Sequence, residues 1–257
     1  MFWQEAFQYR SESFIWFLFD VVSPLVMILM WRSSYGDAAE IGGYTLAQMM
    51  LYYVGMMALR TVLNVHPEWA ISEEIRTGGF SKHLLRPLTF SRFHLIGETA
   101  WKLLRLLFLT PVVAGFLLWL GPEVTASVGL TRELIPAFLG SLLFGFFLNY
   151  TLKVSLGLMA FWMTESIGAF NIFFLFQYLF EGTLMPLNLL PPAVQRMGDW
   201  LPFRYFYSLT MSIFQGKVGT VEAYQGLAVQ VAWCAGAYLL MKIVYAFGVR
   251  RYSAVGG

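Results

Sequence analysis

Six long apolar stretches constrain the fold of this chain more than any other feature. A helix needs about 20 apolar residues to cross a hydrocarbon core about 30 Å thick. Runs of that order occupy residues 14–31, 44–65, 101–120, 135–163, 166–185 and 225–247. A helix satisfies its backbone hydrogen bonds internally, and lipid can surround its apolar side chains. The sequence therefore predicts an all-α polytopic membrane protein, with six transmembrane helices in a single transmembrane domain.

The composition excludes a soluble globular protein. Hydrophobic residues make up 58% of the chain and charged residues only 12%, about half the usual globular share. The net charge of +2 gives no argument for a nucleic-acid partner. The single cysteine, Cys234, lies within an apolar run, so no intrachain disulfide is expected.

The distribution of Lys and Arg predicts the orientation. With the N-terminus in the cytoplasm, ten of these residues fall on the inner side or at its border and five on the outer side, leaving out two within the spans. Positive charge favours cytoplasmic loops. Because six is an even number, we expect both termini in the cytoplasm and a multi-pass protein of the inner (plasma) membrane.

Two long loops join the spans, one on each side. The inner loop, residues 66–98, holds eight charges, and Glu68 to Arg76 has the pattern of a short amphipathic helix followed by Gly78 and Gly79. A second short helix is predicted from Ser81. The outer segment, residues 186–224, contains four prolines that favour short broken helices. Its aromatic residues are interpreted as membrane-interface anchors: Trp200, Phe203, Tyr205, Phe206 and Tyr207.

Catalytic signatures are absent. The sequence has no phosphate-binding loop of the form G-x-x-x-x-G-K-[ST], no H-E-x-x-H and no G-x-S-x-G. Its three histidines, His66, His83 and His94, fall in or beside the inner loop, and solvated side chains are the favoured interpretation. We therefore predict no catalytic residues, no metal site and no cofactor bound by this chain.

Charged residues within the spans need partners. Asp20 and Arg60 lie at similar depths from the inner face in neighbouring spans, which predicts an intramembrane ion pair. Lys153 would either bind an anionic substrate, or snorkel or pair within the bundle. Glu181, placed near the outer end of the fifth span, would line an exit pathway or cap the outer helices.

Several motifs resemble those of ABC-2-type exporter permeases. The inner loop carries the most specific of them, Glu74-Ile75-Arg76-Thr77-Gly78-Gly79-Phe80 followed by Leu84-Leu85-Arg86-Pro87. Further matches in order are the amphipathic start ending in Tyr9-Arg10, the segment Ile41 to Thr45, and Gly182 to Pro186 with Leu190-Pro191 and Leu201-Pro202-Phe203. Within the family the chain looks most like a less-characterised branch, in which two unlike permeases often accompany one ATPase.

The resemblance implies a type V-like exporter fold and a set of partners. Residues 1–12 would form an interfacial helix, and the inner loop would carry a coupling helix that rests on a separate ATPase. Two ATPase subunits holding ATP and Mg would act on a dimer of permeases, identical or homologous, within membrane lipids. The segment from Leu184 to Phe203 would form an outer lid. The implied coupling residues are Glu68, Trp69, Ile71, Glu73, Glu74, Ile75, Arg76, Gly78 and Gly79.

The substrate implied by this resemblance is lipophilic or amphiphilic and leaves the cytoplasm or the inner leaflet. The candidate substrate path consists of Phe170, Phe173, Phe174, Lys153 and Glu181. An alternative function is an ion-coupled secondary carrier that uses Asp20, Arg60 and Lys153. The sequence lacks the paired spans, broken by Gly or Pro, that inverted repeats produce in such carriers, and this counts against the alternative.

Overall fold

A computed structural model describes residues 10–84 and 90–252, without the side chains of residues 10–20, 100, 101, 103 and 104. Across these ranges the chain is helical, and its one β-type pairing is an isolated bridge between Ile41 and Tyr44. The protein is an all-α polytopic membrane protein, as predicted. The predicted interfacial helix, residues 1–12, lies mostly outside the described residues.

Eleven α-helices follow one another along the described chain. They are α1 (Arg10–Tyr35), α2 (Leu46–Leu63), α3 (Pro67–Arg76), α4 (Ser81–Leu84), α5 (Phe90–Leu120), α6 (Pro122–Ala126), α7 (Ile135–Leu158), α8 (Ile167–Phe180), α9 (Pro192–Asp199), α10 (Ser208–Phe214) and α11 (Thr220–Arg251).

The long helices overlap the six predicted spans. Three described segments are long and apolar enough to cross a membrane, namely Leu46–Arg76, Arg132–Phe161 and Thr220–Arg251. Arg105–Leu120 and Ile167–Phe180 are shorter apolar helices. Helix α5 begins at Phe90 rather than near residue 101, since residues 90–100 contain no proline to break it. The helical part of the third span therefore extends into the predicted inner loop.

Helix α2 is central to the bundle. It packs against α1, α5 and α7, and apolar side chains are buried on several sides of it, including Met49, Tyr52, Met56 and Leu63. Helices α7 and α11 form the most extensive pair. The outward side of α11 leaves many large apolar side chains exposed, as expected of a helix that faces lipid or another apolar surface.

The fifth apolar helix is shorter than its predicted span. Helix α8 has 14 residues, about 21 Å at 1.5 Å per residue, and ends before Gly182, whose φ of +92° breaks the helical path. The chain then runs beside the middle of α2, where the hydroxyls of Tyr52 and Tyr53 donate to the carbonyl oxygens of Gly182 and Leu184.

The outer segment folds back into the bundle. The interpretation of its aromatic residues as interface anchors is wrong for four of the five, because Phe203, Tyr205, Phe206 and Tyr207 are buried. Trp200 alone of the five is exposed, at 84%. The hydroxyl of Tyr207 accepts a hydrogen bond from Asn149 Nδ2, which also donates to the carbonyl of Leu63 at the end of α2.

Candidate functional site

Helix α3 turns away from the end of α2 after a short bend at residues 64–66. Pro67 occupies its first turn. A backbone N–H at that position would have no acceptor within the helix, so proline is tolerated there. The helix ends at Arg76, and Gly78 follows with a φ of +80°, which a residue with a Cβ rarely adopts. The N–H of Phe80 donates to the Glu74 carbonyl at 2.8 Å. Gly79 does not have a positive φ.

One face of α3 packs against the inner end of α7. Ile71 and Ile75 are buried there, and the hydroxyl of Ser72 lies 3.3 Å from that of Ser166. The two helices approach at Gly157, where an added Cβ would lie 2.9 Å from Glu68 Cα and from Ile71 Cβ. Because no side chain separates the backbones at this point, α3 and α7 are held as closely packed neighbours.

The opposite face of α3 is exposed. It carries Ala70, Glu73, Arg76 and Thr77, and the Arg76 guanidinium lies 3.3 Å from the Glu73 carboxylate and 3.8 Å from that of Glu165. Ile71 and Ile75, two of the implied coupling residues, point into the protein itself. An external partner would meet the polar face.

Glu74 points toward the segment that follows α3. Its carboxylate lies 2.7 Å from Lys82 Nζ and 2.7 Å from His83 Nε2. Burial lowers the pKa of His83, and the adjacent Glu74 carboxylate partly offsets that effect. These contacts fasten the end of α3 to α4.

The last carbonyl groups of α2 and the bend after it are satisfied by side chains from other helices. Lys153 Nζ, on α7, donates to Asn64 Oδ1 and to the Val65 carbonyl, both at 2.8 Å. Lys102 Nζ, on α5, donates to the Asn64 carbonyl. Terminal carbonyls of a helix have no intrahelical partner and favour cations. The two lysines therefore clamp the bend, and we name residues 64–66 with Lys102 and Lys153 the bend clamp.

Acidic groups balance the lysines of the bend clamp. Glu68 is completely buried, and its Oε1 lies 3.1 Å from His66 Nδ1. Glu98 Oε1 accepts the backbone N–H of His66 at 3.2 Å. Buried charges are tolerated when opposite charges and hydrogen bonds surround them.

A cavity of about 470 Å³ opens beside the bend clamp, between α2, α3, α7 and α8. It is lined by polar and aromatic side chains: Arg60, Asn64, His66, Trp69, Lys153, Asn171, Phe174, Leu175, Gln177, Tyr178 and Glu181. Three residues of the predicted substrate path therefore line the same cavity: Lys153, Phe174 and Glu181. Phe170 and Phe173 are not among the lining residues, and the Phe173 ring packs against that of Phe203 at 5.3 Å.

Trp69 joins α3 to this cavity. Its ring lies edge-on to Phe170 with centroids 4.9 Å apart, and 6.3 Å from the Phe174 ring. Lys153 Nζ lies 5.4 Å from the centroid of the same Phe174 ring. A displacement of α3 therefore acts directly on the cavity wall formed by α8.

Glu181 is buried directly after the last residue of α8, Phe180. Its carboxylate accepts hydrogen bonds from Gln177 Nε2 at 2.7 Å and Thr183 Oγ1 at 2.5 Å. It lines the same cavity as Arg60 and Lys153. Its position near the outer end of a span stays a prediction.

The predicted ion pair between Asp20 and Arg60 involves a side chain, that of Asp20, outside the described residues. Arg60 lines the cavity next to Glu181. The pair stays a prediction.

Sequence reasoning missed several polar residues of this site. Asn64, Lys102, Asn149 and Gln177 carry no motif, and each is isolated among apolar neighbours. A polar side chain within an apolar run signals a need for a hydrogen-bond partner. That signal marks these positions without identifying their partners.

The long apolar helices, the amphipathic α3 and the buried charges define a polytopic membrane protein. A family model described as "ABC-2 family transporter protein" matches residues 21–256. The chain belongs to the ABC-2 transporter family and is an ABC-type permease subunit. Comparison with curated proteins and with solved structures found no match.

Proposed function

We propose that this chain is the transmembrane subunit of an ATP-driven exporter, powered by a separate ATPase that docks on the exposed face of α3. Family membership supports an association with ABC ATPases in general. The observation that carries the finer proposal is the contact of Trp69, on α3 (the docking helix of this proposal), with Phe170 and Phe174 on α8, since Phe174 lines the cavity. Two ATPase subunits binding ATP and Mg would supply the force, and this chain would contribute no catalytic residue.

The packing of α3 indicates which helices would receive a force applied to it. Helix α3 is held to α7 through Gly157 and to α8 through Trp69, and the bend clamp ties it to α2. A push on the polar face of α3 would shift these three helices relative to one another. The cavity lies between them, so its shape would change with ATPase closure.

The substrate class we propose is lipophilic or amphiphilic. Aromatic rings and charged groups of both signs line the cavity, which suits a molecule with an apolar body and a polar end. The outward side of α8 exposes Ile172 and Phe176, a surface suited to lipid or to a second permease. We propose a dimer of permeases, both termini in the cytoplasm, and release of substrate to the outside of the inner membrane.

The test is co-purification with the ATPase whose gene we expect beside this one. The double variant E73K/R76E keeps the intrahelical pair while reversing both charges on the exposed face of α3. We expect it to lose the ATPase, and to lose stimulation of ATP hydrolysis by the permease. The matched control is Glu123→Lys, which reverses an exposed charge on α6, away from α3. It should retain both ATPase binding and the stimulation of ATP hydrolysis.

Transport by reconstituted vesicles separates this proposal from the secondary-carrier alternative. The exporter requires ATP and the ATPase, and it runs without an imposed ion gradient. Uptake or efflux driven by an ion gradient in the absence of ATP would contradict the exporter and support a carrier that uses Asp20, Arg60 and Lys153.

A further inference from the structure

Two of the three histidines in the chain meet one carboxylate at the inner end of the bundle. His83 Nε2 lies 2.7 Å from Glu74 Oε2, and His94 Nε2 lies 3.3 Å from the same oxygen. One ligand atom from each of the three side chains lies within 4.8 Å of the others. Both imidazoles are buried, with residue exposures of 4% and 8%. The residues come from three separate elements, the end of α3, α4 and the start of α5.

Hydrogen bonding does not fully account for this arrangement. His94 Nε2 is buried, and among the described residues it has no aligned hydrogen-bond partner, although Glu74 Oε2 lies 3.3 Å away. A buried polar atom without a partner is uncommon, because its desolvation is uncompensated. The other carboxylate oxygen, Glu74 Oε1, lies 2.7 Å from Lys82 Nζ, an outer contact that orients the carboxylate.

Aromatic rings surround the two imidazoles. The rings of Phe90 and Phe93 lie edge-on to His83 at 5.1 and 5.0 Å, and Phe90 lies 4.7 Å from His94. This wall restricts ring rotation and water access. Both effects favour a defined ligand geometry.

We propose that Glu74, His83 and His94 form a binding site for a divalent first-row transition-metal ion, with zinc as the best match. Two imidazole nitrogens and one carboxylate oxygen are zinc ligands, and three protein ligands leave a fourth position for water. Magnesium and calcium prefer sites made of oxygen alone. A tetrahedral ion with bonds of about 2.0–2.1 Å separates its ligand atoms by about 3.3 Å. The His94–Glu74 pair has that separation, and the His83–Glu74 pair, at 2.7 Å, needs to open by about 0.6 Å to reach it.

The consequence is a cross-link between the docking helix and the third span. The metal would tie the end of α3 to the first turns of α5, in addition to the bend clamp at the other end of α3. Bound ion would restrict the tilting of α3. The proposed metal site is formed by the three side chains and does not depend on the proposed transport function.

The test uses the full-length chain, purified in detergent through a tag without histidine and stripped with a chelator. Calorimetric titration with zinc should give one ion per chain, and cobalt should give the visible absorption of a four-coordinate complex. His83→Gln, His94→Gln and Glu74→Gln should each weaken zinc binding by about a hundredfold or more, since outer-contact changes alone cost ten- to a hundredfold. His66→Gln, the third histidine and outside the cluster, should bind zinc as the parent does.

A second variant covers the case in which a glutamine variant fails to fold. His94→Cys replaces one zinc ligand by another, so it should retain binding and add a sulfur-to-cobalt charge-transfer band. Size-exclusion profiles of all variants identify those that fold. The proposal is overturned if the parent binds no zinc, or if folded His83→Gln and His94→Gln bind it with the affinity of the parent.

Discussion

The ammonium of Lys153 lies 2.8 Å from Oδ1 of Asn64, so a cation in the middle of the chain holds the bend between α2 and α3. The same ammonium donates to the Val65 carbonyl. These bonds give Lys153 a structural role that does not require a substrate. The contact also lies on the cavity wall, where a change at Lys153 would alter both stability and coupling.

We expect Lys153→Met to destabilise the protein by about 1–3 kcal/mol, because buried acceptors at Asn64 and Val65 lose their donor. Thermal unfolding in detergent measures this. The control is Lys242→Met on the exposed side of α11, which should leave the melting temperature unchanged. Loss of transport with an unchanged melting temperature would instead favour Lys153 as a binding group for an anionic substrate.

Gly157→Ala should push α3 away from α7. The added Cβ overlaps Glu68 and Ile71, and overpacking of this kind costs about 1–3 kcal/mol. We expect a lower melting temperature and weaker stimulation of the ATPase. Gly168→Ala, on α8, has open space around its Cβ and should be neutral or slightly stabilising. Equal behaviour of the two variants would contradict the close packing of α3 on α7.

Trp69→Ala should reduce transport per ATP hydrolysed more than it reduces stability. It removes the edge contact with Phe170, and such aromatic pairs are worth about 0.5–1.5 kcal/mol beyond area burial. The ATPase should still co-purify, because Ala70, Glu73 and Arg76 are unchanged. Trp200→Ala, at an exposed position of the outer segment, is the matched control. A full transport yield per ATP in Trp69→Ala would exclude this contact as the coupling route.

Single-cysteine labelling tests the orientation. In a Cys234→Ser background, cysteines at the exposed positions Glu123 and Trp200 should react with a membrane-impermeant maleimide added to whole cells. A cysteine at Glu73, also exposed, should react only after the membrane is opened. The reverse pattern would contradict a cytoplasmic N-terminus.

Local features of this fold were predictable, and the reason is that they depend on neighbouring residues. The apolar run at residues 135–163 predicted α7, and the amphipathic pattern from Glu68 to Arg76, followed by Gly78, predicted α3. Both signals act within one helical turn or one continuous stretch. A single sequence is sufficient for them.

Contacts between distant residues were not predictable in the same way. Lys153 and Asn64 are 89 positions apart, and nothing local to either identifies the other. The fifth span was predicted to run to residue 185, whereas α8 ends at Phe180. Aromatic residues such as Phe206 suit a membrane interface and a buried core equally well, so composition did not distinguish the two.

The bend clamp also has a consequence for synthesis of the chain. The end of α2 and the start of α3 leave the ribosome long before Lys153, which lies 89 residues after Asn64. Until α7 enters the membrane, the docking helix lacks both its Lys153 anchor and the surface around Gly157. Nascent chains that end before residue 153 should therefore leave residues 67–76 open to protease. We therefore expect the proposed ATPase to bind α3 only after α7, the fourth predicted span, has been inserted.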